Sequence, residues 1–191
     1  AAYKKALRID RKNVATLENL YEAFAVIGND NAKLKTAQTL VGLKRESKNF
    51  LALARAQKDT ANYSEAQKNI AEAIKIDGPR PNSLYSLAEI QLRKGDLANG
   101  WHNYAHRWND SSFKNANKEL EPPPLMAWTG QSLKNRTLLI KAEQGLGDEI
   151  LFANTFDYFA SLGGKVHVEC DPRLTSIFKR SFPSIQFLNR E

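Results

Sequence analysis

This chain has one cysteine, Cys170, and one methionine among its 191 residues. A single thiol excludes an internal disulfide framework. Cys170 ends the apolar run Val166-His167-Val168-Glu169-Cys170 and reads as a small core thiol rather than a nucleophile. No apolar run approaches the roughly 18 residues that a membrane-spanning helix needs, and no signal peptide is visible. A cytoplasmic protein with no membrane span is therefore expected. The net charge is +7 and the isoelectric point about 9.5, which favours anionic partners in general. There is, however, no Lys/Arg block with interleaved aromatics, so no nucleic-acid partner is expected. Walker, His-Glu-x-x-His and Asp-x-Asp patterns are all missing. His102 and His106 stand at i, i+4, a spacing that could share a metal, but no third ligand is evident. Neither a metal site nor a cofactor is expected. The chain opens at Ala1 without an initiator Met, already in helical register, and reads as a fragment of a longer protein.

What is present begins with a repeat. Residues 1 to about 110 carry helical periodicity and almost no strand signal. Ala6-Leu7-Arg8-Ile9-Asp10 recurs as Ala73-Ile74-Lys75-Ile76-Asp77, and Gly28-Asn29-Asp30 recurs as Gly95-Asp96-Leu97. Both steps equal two periods of about 33–34 residues, the length of a two-helix repeat. The second-helix pattern lies in Tyr63, Ala66, Ile70, Ala73 and Ile74. The first-helix pattern lies in Leu84, Leu87, Ala88 and Gly95-Asp96, and again in Leu17, Leu20, Phe24 and Gly28. On these residues the segment 1–108 resembles the tetratricopeptide repeat (TPR) family. It departs at Tyr21, where the family prefers a small residue.

The resemblance implies an α-solenoid in which stacked helix pairs complete one another's cores. Small residues such as Ala54, Ala66, Ala73 and Ala88 let the helices approach. It also implies a concave groove lined by first helices that takes a protein or peptide partner. The groove positions carried over are Lys48, Leu51, Arg55 and Lys58 in one repeat, then Asn82, Tyr85, Glu89 and Leu92 in the next. Glu18 and Glu22 occupy the preceding one. Two readings stand: Lys48, Arg55 and Lys58 bind an acidic partner segment, or they are ordinary solvated charges. Trp101, Tyr104 and Trp108 are expected to seal the last repeat.

Residues 109–124 are polar and end in three prolines, which reads as a linker. Residues 109–136 as a whole are assigned to linker and docking segment, with Trp128 pinned on a neighbouring surface. From residue 137 the pattern changes to strand, helix, strand. Strands are expected at 137–142, 165–170 and 185–188. A helix at 149–162 carries Phe152, Phe156, Phe159 and Ala160 on one stripe, and a second runs from Pro172 to about residue 180. This β-α-β-α-β order predicts a parallel sheet with right-handed crossovers, the incomplete start of a Rossmann-like α/β domain over 137–191.

Between the first strand and helix lies Gln144-Gly145-Leu146-Gly147-Asp148. Gly145 and Gly147 are expected to turn the backbone sharply and to let a ligand approach it. The dinucleotide fingerprint is incomplete, because Ile150 takes its third glycine position. Two readings fit: a tight βα connection with Asp148 as a helix cap, or an active-site loop. The run Gly100-Trp101, Tyr104, Arg107-Trp108, then Trp128, Gly130 and Leu133, then Ala142 through Asp148, resembles bacterial TPR proteins with glycosyltransferase-like C-terminal regions. Those regions are similar to the heptosyltransferases and other two-domain (GT-B) enzymes. The resemblance implies Asp148 as general base on an acceptor hydroxyl, with Gln144, Gly145 and Gly147 lining the substrate. A nucleotide sugar would be the substrate of the whole protein. GT-B enzymes bind it mainly in a second domain that this chain lacks, so the chain alone is expected to be inactive. The alternative is a non-catalytic interaction module with a structural α/β cap.

Overall fold

The computed structural model describes residues 3, 8–116, 127–142 and 145–190. Gln144 lies outside the described residues. The chain divides into two compact units, residues 1–119 and 120–191.

The first unit is a run of antiparallel helices. In chain order these are α1 (Val14–Val26), α2 (Asp30–Leu43), α3 (Ser47–Asp59), α4 (Tyr63–Asp77), α5 (Pro81–Arg93) and α6 (Leu97–Tyr104). Asn13 and Asn29 cap α1 and α2, their side chains accepting from the N–H groups of Thr16 and Ala32. Gly28 and Gly95, equivalent in the repeat, both take positive φ, +67° and +82°, where the paired helices turn. Only glycine adopts that conformation freely. Ala54, Ala66, Ala73 and Ala88 are at most 1% exposed, which is the close approach expected of them. Phe50, Leu51 and Ala54 of α3 pack with Ala66, Ile70 and Ala73 of α4 and Ile90 of α5. Leu51 therefore lies in the core, not on a groove. A Cβ added at Gly100 would lie 2.7 Å from Leu92 Cδ2 and 3.1 Å from its backbone N, so α6 sits tightly on α5.

Two features correct the sequence reading of this unit. Tyr21, oversized for its position, is buried and spans two repeats, its hydroxyl donating to Ala52 O at 3.0 Å. The stretch taken as linker is in part helical: a 3-10 turn (Ala105–Asn109) leads into α7 (Ser111–Ala116). Asp110 caps α7 by accepting from Phe113 N–H at 2.8 Å. Phe113 is buried, edge-on to Trp108 at 5.5 Å and to Tyr85 at 5.8 Å. Its polar neighbours hid it, since one apolar residue carries no periodicity.

The second unit runs β1 (Thr137–Ile140), α8 (Leu146–Phe152), a 3-10 turn (Ala153–Thr155), α9 (Phe156–Ser161), β2 (Lys165–Cys170), α10 (Pro172–Ser181) and β3 (Gln186–Asn189). The strands are parallel in the order β1-β2-β3. Ile140 stands opposite Val168, which stands opposite Phe187. The helix expected over 149–162 is broken. Thr155 Oγ1 donates back to Phe152 O at 2.7 Å, and the 3-10 turn rotates the stripe, leaving Phe152 48% exposed while Phe156 is buried.

One core fills one side of this sheet: Val166, Val168, Cys170 and Phe187 against Ala153, Phe156, Leu174 and Phe178. Strands added in one direction with right-handed crossovers put every helix on the same face. The other face carries Leu139 and Leu188, both more than a third exposed. The unit is thus a small three-stranded parallel sheet with one helical layer. The second layer of a doubly wound Rossmann domain is absent among the described residues. Part of the docking segment belongs here. The Trp128 ring lies edge-on to Phe159 at 5.6 Å, and Leu133 is buried. A Cβ on Gly164 would lie 2.5 Å from Leu133 O.

Candidate functional site

The alternate helices α1, α3 and α5 are tied side by side. Tyr21 of α1 reaches Ala52 O of α3. Lys48 Nζ of α3 meets Glu18 Oε1 of α1 at 2.6 Å, and Lys58 Nζ of α3 meets Glu89 Oε1 of α5 at 2.8 Å. These links put Lys48, Arg55 and Lys58 on one face together with Glu18, Glu22 and Glu89. The face is charge-balanced rather than basic, since each lysine is matched by a carboxylate of a neighbouring first helix. Hydrogen bonding to Glu18 holds the Lys48 ammonium above its usual range. That pair is exposed, with side chains 60% and 40% accessible, whereas the Lys58–Glu89 pair is 15% and 28% accessible. Arg55 and Glu22 make no ion pair or side-chain hydrogen bond among the described residues.

Asn82 and Tyr85 are half-buried on α5. Tyr85 packs against Tyr104, ring centroids 5.6 Å apart, and against Phe113. Burial, with Glu89 adding to it, pushes the Tyr85 hydroxyl up to about 12. Tyr85 thereby joins an aromatic end-cap with Tyr104, Trp108 and Phe113. The Arg107 guanidinium lies over the Tyr104 and Trp108 rings at 4.4 and 4.6 Å. His102 and His106 stack edge-on at 6.5 Å. Among the described residues no group of three or more His, Cys, Asp or Glu could hold a metal.

The second candidate is the turn after β1. Gly145 has φ −81° and ψ 165°, ordinary extended backbone, and Gly147 is helical. Neither takes a positive φ, so the sharp turn expected of them is not what requires glycine here. A Cβ on Gly147 would meet nothing within 4 Å. Asp148 is exposed, and its Oδ2 accepts from Gly145 N–H at 3.2 Å. This is one half of a capping box, since Gly145 has no side chain to supply the other half.

Sequence reasoning passed over the next residue. Glu149 is 9% exposed, and its Oε2 accepts from Asp171 N–H at 2.8 Å. Its Oε1 faces Arg190 Nη1 at 3.5 Å. Asp171 caps α10 and takes both Nε and Nη2 of Arg173, at 2.9 and 2.8 Å. Those hydrogen bonds hold the Asp171 carboxyl well below the usual carboxylate range. Thr175 Oγ1 donates to Asn189 Oδ1 at 2.8 Å. The group gathers at the carboxyl ends of β2 and β3, the side on which open α/β sheets bind ligands. An acidic residue in a first helical turn ordinarily reads as solvated, so no sequence signal marked Glu149.

No family model matches the chain. It is similar to protein FlbA of Caulobacter vibrioides, 31% identical over a 147-residue alignment that covers 73% of this chain and 24% of that protein. The chain thus spans about a quarter of the length of this curated relative. Among solved structures it is similar to MamA, at 24% identity over 55% of this chain and 62% of that one, with a TM-score of 0.50. An O-GlcNAc transferase of Thermobaculum terrenum aligns over 100% of this chain and 36% of its own. There the identity is 13% and the TM-score 0.49, a likeness too loose to bear on function. The first unit has a TPR-like helical repeat fold. Among the described residues no helix is long and apolar enough to cross a membrane.

Proposed function

We propose that the helical unit is a protein-binding scaffold, with the face shared by α1, α3 and α5 holding a segment of a partner. The observation behind this reading is that face itself. Three first helices are tied edge to edge by Lys48–Glu18 and Lys58–Glu89, with Arg55 on α3 and Asn82 on α5 half-buried. Tandem helical repeats present such surfaces to extended ligands. A photo-crosslinking side chain placed at Asn82 should capture a partner peptide. The same side chain at Lys68, exposed on α4, should not. Equal capture from both positions would remove this face from consideration.

The α/β unit fits, in the same proposal, the beginning of a sugar-transferring domain. Asp148 would be the base on an acceptor hydroxyl, and Gly145 and Gly147 the backbone against which substrate lies. Gln144 is assigned to substrate on the resemblance alone. What supports this is Gly147: a helical glycine facing open space gives up helix stability with no packing in return. A second reading rests on the Asp148 to Gly145 hydrogen bond, a cap that needs no substrate. In that reading the sheet is a structural end-piece. Calorimetric titration of nucleotide sugars into the whole protein, with Asp148→Asn alongside, separates the two. Binding and turnover, with turnover lost in the variant, support the transferase. An empty panel leaves the cap and the scaffold.

A further inference from the structure

The last three residues of α3 are Gln57, Lys58 and Asp59, and each bonds to a different helix. Gln57 Oε1 accepts from Asn69 Nδ2 of α4 at 2.8 Å. Lys58 Nζ meets Glu89 Oε1 of α5 at 2.8 Å, and Asp59 Oδ2 meets Lys33 Nζ of α2 at 2.6 Å. Successive helical residues are about 100° apart around the axis, so three in a row face three different neighbours. Those neighbours come from three successive helix pairs: α2 from the first, α4 from the second and α5 from the third. The Lys33 and Lys58 side chains are only 11% and 15% accessible, which keeps both ion pairs shielded from salt.

The equivalent positions in the other first helices lack the full set. In α5 the Gln91–Asn103 bond, at 2.9 Å, repeats Gln57–Asn69 one period later. The two residues after Gln91 are Leu92 and Arg93, and neither forms an ion pair among the described residues. In α1 the three positions hold Phe24, Ala25 and Val26, which are apolar. The turn after α3 differs as well. Ala61 has φ +59° where the flanking repeats have Gly28 and Gly95. Alanine takes that left-handed conformation only at a cost, so the surrounding structure must hold it there.

We infer that Gln57-Lys58-Asp59 is a three-way node through which the three helix pairs are coupled, and that it holds the Ala61 turn in its strained form. The three bonds share one helical turn. That turn is the end of α3, where the last carbonyls have no partner within the helix. Releasing one bond frees this turn to unwind, and the other two bonds then lose their geometry. Repeat arrays owe their cooperativity to such terms between neighbours. Here the term is concentrated in three consecutive side chains of the middle pair. The inference depends on neither functional reading above.

The test is a double-mutant cycle on this chain with Lys33→Met and Glu89→Gln. These remove the two outer partners and leave α3 itself unaltered. No hydrogen bond or ion pair joins α2 to α5 among the described residues, so coupling between the two sites must pass through α3. Hydrogen exchange at the Leu53 and Ala54 amides, buried in α3, reads the repeat unit alone. Each single variant should speed that exchange on the order of tenfold. The double variant should fall short of the product of the two by roughly fivefold, since the second loss strikes a node already open. As a control, Lys68→Met breaks an exposed pair with Glu65, and its effect should simply multiply with that of Glu89→Gln. If a single variant is too unstable to read, the same cycle runs in an Ala61→Gly background, where the turn is relaxed. Effects of Lys33→Met and Glu89→Gln that multiply within about twofold would overturn the node, because independent sites do so. Single variants without effect, or a control that falls short equally, would overturn it too.

Discussion

Replacing Gly147 with alanine asks one question of the fold and another of the function. Gly147 is the second residue of α8, has helical dihedrals, and would place a new Cβ in open space. Glycine costs a helix interior about 1 kcal/mol relative to alanine, and less in the first turn. The alanine chain also loses less backbone entropy on folding. With no steric term on the other side, Gly147→Ala should stabilise the α/β unit by about 0.5 kcal/mol. Hydrogen exchange at the β2 amides, Lys165–Cys170, should slow roughly twofold, since 1.4 kcal/mol is a factor of ten. Faster exchange would refute the reasoning, because it would mean the glycine is structurally required. The same variant in the whole protein then speaks to chemistry. If substrate lies against this Cα, nucleotide-sugar binding falls although stability rises.

Three further outcomes follow from the packing. Gly164→Ala should destabilise the α/β unit by several kcal/mol, because its Cβ would lie 2.5 Å from one carbonyl oxygen and 2.9 Å from another, and backbone cannot yield as a side chain can; an unchanged urea midpoint would contradict this. Phe113→Ala should cost about 3 kcal/mol and expose the Tyr85–Trp108 end-cap, seen as a lower thermal midpoint and a red-shifted tryptophan emission; an unaltered midpoint would return residues 111–116 to the status of a linker. Arg173 lowers the folded-state pKa of Asp171, so the stability it contributes is present above the unfolded value near ~3.9 and is lost as pH falls toward the folded one. The gap in urea midpoint between the unaltered chain and Asp171→Asn should therefore narrow below about pH 4, and a gap that widens there would reverse the assignment.

The repeat was legible because its signals are redundant. Gly28 and Gly95 mark equivalent turns, and both take the left-handed conformation that makes glycine necessary. Ala54 and Ala88 recur in register, and both are buried. The succession of strands and helices was legible for a related reason: short apolar runs alternate with helical stretches, and Lys165–Cys170 is β2 as expected. Single residues acting alone were not legible. Phe113 sits in polar sequence, Tyr21 breaks the repeat pattern, and Glu149 is a buried carboxylate bonded by a backbone N–H 22 residues further on. No local pattern reports such distant partners. The face of α1, α3 and α5 was half legible: its residues could be named, but the pairing that neutralises Lys48 and Lys58 depends on which helix lies beside which. In the same way, the 149–162 stripe assumed one unbroken helix and so misplaced Phe152.

The lateral links of the repeat unit also grade its stiffness. The Glu18–Lys48 strut between α1 and α3 stands in solvent, while the Lys58–Glu89 strut between α3 and α5 is largely shielded. Raising the salt from physiological strength to 1 M shortens the screening length from about 8 Å to about 3 Å, which weakens the first strut and leaves the second nearly intact. The α1–α3 joint then loses its exposed tie and keeps its buried one, the Tyr21 hydroxyl on Ala52 O, while the α3–α5 joint keeps its ion pair. An extended ligand lying across both joints would meet one ion pair that yields to salt and one that does not.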